Sequence, residues 1–290
     1  VIVYQSAWLK RYYPAAFLCG LMRHQPMGFW SPAVLIGDAK RHGIKVLPVD
    51  LDWSEGKCTV EAGAIRLGFD YVSGFGEAAV TRLLEARRAK PFRDLTDLCR
   101  RSRLPQRLIE HLIRAGASDR WQVPRRALLW ELGQLHYSIA ELDLPYPATE
   151  VELPPLSEVE AQLWERQVQG LSAGPHVMAR YRDPLANLGI LNSEQLQRQP
   201  NGQRVRVAGL VVVHQSPPTA KGVHFLTLET EEGLIDIVIK PDVYARYRRV
   251  IRAEPLLVIE GLVQRQERIV SLLAGRVTPL SSHAIPLILP

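Results

Sequence analysis

Cysteine is scarce in this chain. Cys19, Cys58 and Cys99 are the three in 290 residues, and they lie far apart. That spacing supplies neither a disulfide framework nor a C-x-x-C metal site, so isolated reduced thiols are expected. The eight histidines contain no H-x-x-x-H pair, which leaves a zinc site without ligands at helical spacing. No apolar run approaches the ~20 residues of a membrane-spanning helix. The opening VIVYQSAWLK has neither the charged n-region nor the cleavage site of a secretion signal, so a cytoplasmic chain with no membrane partner is expected. Catalytic signatures are absent too: G-x-x-x-x-G-K-[ST] and G-x-S-x-G do not occur, and no cysteine-histidine pairing follows from spacing. The D-x-D at Asp50 and Asp52 has no third carboxylate beside it in a strand, and Pro48 and Ser54 fit a surface turn. No catalytic residue, no metal ligand and no cofactor is therefore assigned to this chain.

What is present is an ordinary globular composition, 47% hydrophobic and 23% charged, sufficient for two or three domains. The formal net charge of +6 is unevenly placed. Arg82 to Arg126 holds thirteen Lys and Arg against five Asp and Glu, whereas Glu131 to Glu160 holds seven acids and no Lys or Arg. A local basic excess is what a phosphate-binding surface requires, and it is also what a solvated helical face looks like.

YVSGFGEAAVTRLLEARR, Tyr71 to Arg88, sets Gly74 and Gly76 immediately before a run whose apolar positions Ala79, Val80, Leu83 and Leu84 recur at helical spacing. Backbone N–H groups exposed at a helix start can bind a phosphate oxygen where the macrodipole favours negative charge, and a side chain at either glycine obstructs that approach. The pattern h-x-G-h-G-x-x-A is the helix-hairpin-helix signature, which grips the sugar-phosphate backbone without reading bases. Ser73, Gly74, Phe75, Gly76, Glu77, Arg82, Arg87 and Arg88 are the candidate DNA-backbone residues. A second hairpin-like element is expected in LIEHLIRAGASD, whose helix ends in a left-handed cap at Gly116.

Elsewhere, an aromatic helical pattern over Tyr4 to Arg23 breaks at Pro14, a second helix fits Pro32 to His42, and Thr59 to Phe69 alternates like short strands. LDLPYPATEVELPPL, Leu142 to Leu156, is a linker by composition, and Ser157 with Glu160 forms a capping box for the helix after it. From Gly202 to Leu280, five β-rich runs surround one helix at Asp242 to Ile251, giving β-β-β-α-β-β. That order is the five-stranded OB barrel, with Gly209 and Gly261 where a coiled strand needs relief. Arg204, Arg206, Lys221, His224, Phe225, Lys240, Arg265 and Arg268 are candidates for a single-strand groove, with Phe225 as either stacking ring or core residue.

Several stretches carry a family resemblance: YQSAWLKRYYPAAF, QPMGFWSPAVLIGDAKRHGIKVLPVDLDWS, AIRLGFDYVSGFGEAAVTRLLEAR, WERQVQGLSAGPH and GVHFLTLETEEGLIDIVIKPDVYARYRRVI. In family order, they resemble the carboxy-terminal part of bacterial C-family DNA polymerases, closest to the error-prone, damage-tolerant polymerase III alpha-type branch. The resemblance implies an α+β multidomain chain. It implies that residues 1–55 are the end of the fingers region, 56–141 a helix-hairpin-helix unit, 142–201 a Pro-rich acidic linker with connecting helices, 202–281 the OB fold and 282–290 a tail. It implies duplex and single-stranded template DNA as partners, with other repair or replication proteins possible, and Mg2+ only in the complete polymerase. The catalytic palm would lie upstream, so the chain alone is expected to be inactive and partial. Lys240 departs from the family where an aromatic is expected. The alternative is a stand-alone, non-catalytic DNA-binding or repair-recruitment module.

Overall fold

The computed structural model describes residues 1–28, 30–135, 153–267 and 269–283, and the chain divides into two compact units, Val1–Gly174 and Pro175–Pro290. The division falls within the segment expected as linker, of which residues 142–152 lie outside the described residues.

The first unit opens with α1 (Ile2–Tyr12) and α2 (Pro14–Arg23), separated where Pro14 takes the first position of the second helix. Ala15, Leu18, Cys19 and Met22 recur at helical spacing and are buried. Ser31 caps α3 (Pro32–Arg41) by accepting from the Val34 amide, and Gly43, at φ +74°, ends it. Three short strands follow: β1 (Val46–Leu47), β2 (Thr59–Glu61) and β3 (Ala64–Arg66). They pair in the order β1-β3-β2, with a tight Ala62-Gly63 turn between the last two. Gly68 is required by a chain crossing, since a Cβ there would lie 2.4 Å from the Lys57 carbonyl carbon.

Among the described residues this unit has five further α-helices: α4 (Glu77–Ala89), α5 (Leu95–Ser102), α6 (Gln106–Arg114), α7 (Arg125–Gln134) and α8 (Glu158–Gln169). The capping box forms as expected, with Ser157 and Glu160 each accepting from the other's backbone amide. Gly116, at φ +81°, closes α6 in a Schellman arrangement, the Ala117 amide donating to the Leu112 carbonyl. One apolar core runs from Ala15 to Leu171, so α2, α3 and the hairpin helices share it. Phe69, Leu83, Leu98, Ile109 and Leu112 lie at its centre, each contributing about 1.5–3 kcal/mol by burial. All three cysteines are free and buried, and burial pushes the Cys58 thiol up to about 12, which removes it from nucleophilic chemistry.

The second unit contains α9 (Arg182–Asn187), β4 (Ile190–Leu191) and α10 (Ser193–Gln197), followed by β5 (Arg204–Gln215), β6 (His224–Glu229), β7 (Leu234–Ile239), α11 (Pro241–Ala253), β8 (Leu256–Gln266) and β9 (Ile269–Pro279). The long strands run β5-β6-β7-β9-β8, and β8 pairs back onto β5, closing a five-stranded OB barrel. Its interior is Val205, Val207, Leu226, Leu228, Ile235, Ile237, Ile259 and Leu272 with their neighbours. The two strand glycines sit at close approaches. A Cβ at Gly209 would meet Leu228 Cβ at 2.8 Å, and one at Gly261 would meet the Leu273 carbonyl oxygen at 2.2 Å, beside a register shift at Glu260 and Gly261. A second cluster, with Met178, Tyr181, Leu185 and Ile190 against Ala208, Leu256 and Val258, covers the outside of β5 and β8. The helices α9 and α10 fall in the segment 142–201 expected to hold connecting helices, and the two-residue strand β4 between them is too short for a sequence pattern to show.

Candidate nucleic-acid interface

The glycine corner before α4 separates into one glycine that the fold needs and one that it does not. Gly74 has φ +84°, and a Cβ there would lie 2.9 Å from Leu108 Cδ2 on α6. Gly76, the N-cap of α4, has φ −79°, open to any residue, and nothing lies within 4 Å of where its Cβ would be. The bare space at Gly76 therefore faces outward. Ser73, Gly74, Gly76 and Glu77 are all exposed, whereas Phe75 is buried and stacks on Phe69, anchoring the corner from beneath.

The hydrogen bonds at this corner show which backbone groups remain available. The Ser73 amide donates to the Val168 carbonyl (2.7 Å), and its carbonyl lies 2.7 Å from His111 Nδ1. The Phe75 and Gly76 amides turn back on Val72 and Gly74, and the Ala79 and Val80 amides both reach the Gly76 carbonyl. Gly74, Glu77 and Ala78 are left without an acceptor for their amides among the described residues, as the first turn of a helix dictates. These donors lie at the start of α4, where the helix dipole is positive. Leu108 and His111, one turn apart on α6, hold the corner in place. Neither was identified from sequence, because the contact joins segments more than thirty positions apart.

Much of the basic run is internal scaffolding. Arg87 donates to the Leu51 and Ser54 carbonyls and pairs with Glu55 at 2.8 Å, so it is a strut. Arg101 pairs with Asp97 at 2.9 Å and donates to the Ala86 and Lys90 carbonyls at the end of α4. Although burial alone would raise it, the Asp97 carboxyl is held below its ordinary range by the Arg93 amide and the Arg101 guanidinium. Arg125 bridges Asp119 and Glu165, and Arg126 pairs with Glu160. Arg82, Arg88, Lys90, Arg103 and Arg107 have no such partner among the described residues and are exposed. Arg107 lies on α6, the helix whose Leu108 and His111 contact the glycine corner.

The D-x-D does not fit a metal. Asp50 Oδ1 accepts from the Asp52 and Trp53 amides, Asp52 pairs with Arg120, and among the described residues no group of three His, Cys, Asp or Glu gathers around one point. Ser54 differs from the surface turn expected for it. It is fully buried and bonds the Leu67 carbonyl at 2.7 Å, because the turn is folded beneath β3.

In the barrel the candidates fall on different faces. Phe225 points outward, 38% exposed, and pairs across strands with Val238, which pairs with Leu273. Thr227, Asp236 and Ser271 form the adjacent outward row of these three strands. His224 has the parity of the core residues Leu226 and Leu228, and at the barrel end its ring stacks on Tyr244 at 3.4 Å. Arg204 and Arg206 lie on the β5 side, Arg204 pairing with Glu260 and Arg206 donating to the Leu188 carbonyl. Arg265 is engaged with the Gln197 and Gln199 carbonyls. Lys221 and Lys240 are exposed, on the β5–β6 loop and at the α11 N-cap. Arg268 lies outside the described residues.

A family model described as a helix-hairpin-helix motif matches residues 43–128, which include the glycine corner and α4 to α6. The error-prone DNA polymerase of Azoarcus sp. (strain BH72) is 41% identical over 97% of this chain and 27% of its own length. That of Anaeromyxobacter sp. (strain K) is 38% identical over 97% of this chain and 26% of its own. Among solved structures, asparaginyl-tRNA synthetase from Pyrococcus horikoshii overlays 31% of this chain and 23% of that one at 15% identity. Its TM-score of 0.28 carries no argument. The chain spans about a quarter of the length of the curated relatives it matches, and over 97% of its own sequence it is similar to error-prone DNA polymerases.

Proposed function

We propose that this chain is the DNA-holding carboxy-terminal portion of an error-prone DNA polymerase. In this reading the glycine corner and its free cations grip the duplex backbone, and the open β6-β7-β9 face of the barrel follows single-stranded template. The observation that carries it is Gly76. Its missing side chain serves no contact inside the protein, and the amides of Gly74, Glu77 and Ala78, which have no acceptor among the described residues, lie at the same helix start. A phosphate oxygen fits that space, and the contact is independent of sequence, as copying any template requires. On the barrel, Phe225 supplies a ring on which a base can stack. Template-directed addition of nucleotides, with its magnesium ions, belongs to the complete polymerase. Asp50 and Asp52, occupied as described, take no part in it.

The phosphate contacts can be counted. Arg82, Arg88 and Arg107 replaced together by Ala should lower the slope of log K against log salt for duplex binding by up to about 2.7, roughly 0.9 per lost contact. An unchanged slope would refute the assignment.

A further inference from the structure

Helix α11 carries an unbalanced charge that the fold does not explain. Arg246, Arg248, Arg249 and Arg252 are exposed, and none of them pairs with a carboxylate among the described residues. The helix cannot roll to hide them, because Val243, Tyr247, Val250 and Ile251 pack against the barrel core. Helical spacing sets Arg248 four residues from Arg252, and Arg249 three from both Arg246 and Arg252, separations at which like charges repel. Asp242 and Glu254, the acids at the two ends of the helix, form no ion pair with them.

The arginines are continued by an ordered stack. Arg252 Nε donates to Tyr244 Oη at 3.0 Å, and the Tyr244 ring stacks on His224. His224 Nδ1 in turn lies 3.1 Å from His214 Nε2. This stack fixes the orientation of Arg252. The β5–β6 loop reaches the start of the helix, where a Cβ at Gly222 would meet Pro241 Cγ at 3.4 Å, so Lys221 and Lys240 lie at the head of the same surface.

We propose that the solvent face of α11 is a second phosphate-binding surface for DNA, formed by Arg246, Arg248, Arg249 and Arg252 and headed by Lys240 and Lys221. The inference rests on the DNA-binding reading above and adds a surface to it. Guanidinium groups bind phosphate oxygens through paired N–H donors, and such contacts orient a strand without reading its sequence. The surface is distinct from the Phe225 face, since His224 and Phe225 point to opposite sides of β6.

The test is fluorescence anisotropy of the whole chain with a labelled single-stranded oligonucleotide, titrated from about 50 to about 200 mM salt. The triple variant R248A/R249A/R252A should keep the parent's melting temperature and lose about 2 from the salt slope, roughly 0.7 per phosphate. R248K/R249K/R252K, which keeps the charge, should restore most of that slope. If the alanine variant binds with the parent's slope, the proposal is overturned. Running R82A/R88A/R107A on duplex in parallel locates the failure: loss of slope there alone leaves the hairpin reading standing, and no loss in either variant overturns both surface assignments.

Discussion

At the scale of single residues, the two glycines of the corner should behave oppositely. Gly74→Ala forces a β-carbon into a left-handed conformation and against Leu108, so it should destabilise the first unit by about 1–2 kcal/mol in urea melts. Sequence alone could not separate the two, since both read simply as backbone freedom before a helix. The histidine pair makes a different prediction. Burial, with Arg252 nearby and His224 acting on His214, holds both rings below the ordinary histidine range. The groups facing them are each other, Tyr244 and Arg252. The unfolded chain therefore binds more protons just below about pH 6.5, so stability should fall as pH drops from about 7 through the histidine range. His214→Gln with His224→Gln should flatten that dependence in thermal melts; an equal pH slope in the double variant would contradict the assignment.

At the scale of elements, the helix starts were legible because they depend on local chemistry. Ser157 with Glu160, Pro14 and Gly43 each act within one turn, and the structure uses each as a helix start or stop. The five barrel strands were legible from their alternation, whereas β4 and α10 are too short to show a period and are defined by pairing and packing. Charge was the least legible, because a count of arginines cannot distinguish a strut from a free cation. Arg101 and Arg87 are struts, and Arg101→Ala should cost about 1.5–3 kcal/mol by leaving the buried Asp97 carboxylate with Arg93 alone and the end of α4 uncapped. The depressed Asp97 carboxyl also adds stability at neutral pH that should be lost as acid protonates it below about pH 4. Urea melts at neutral and acid pH, with and without Arg101, check both statements. A cost under about 1 kcal/mol would mean that the pair is solvated.

At the scale of the whole molecule, each unit has its own core: one from Ala15 to Leu171, and a closed barrel with a second cluster on its β5 and β8 side. A chain beginning at Pro175 should therefore melt cooperatively by itself. Both units carry cations beyond those their folding uses, and the polyanion that would engage them is the central claim. Gly76→Ser tests it most directly. Serine is a better N-cap than glycine and meets open space inside the protein, so α4 should be at least as stable as before, yet its side chain occupies the gap in front of the free amides. The account predicts an unchanged or raised melting temperature together with duplex binding weakened about tenfold, roughly 1.4 kcal/mol. Duplex binding as tight as that of the parent, in a variant that melts like the parent, would contradict it.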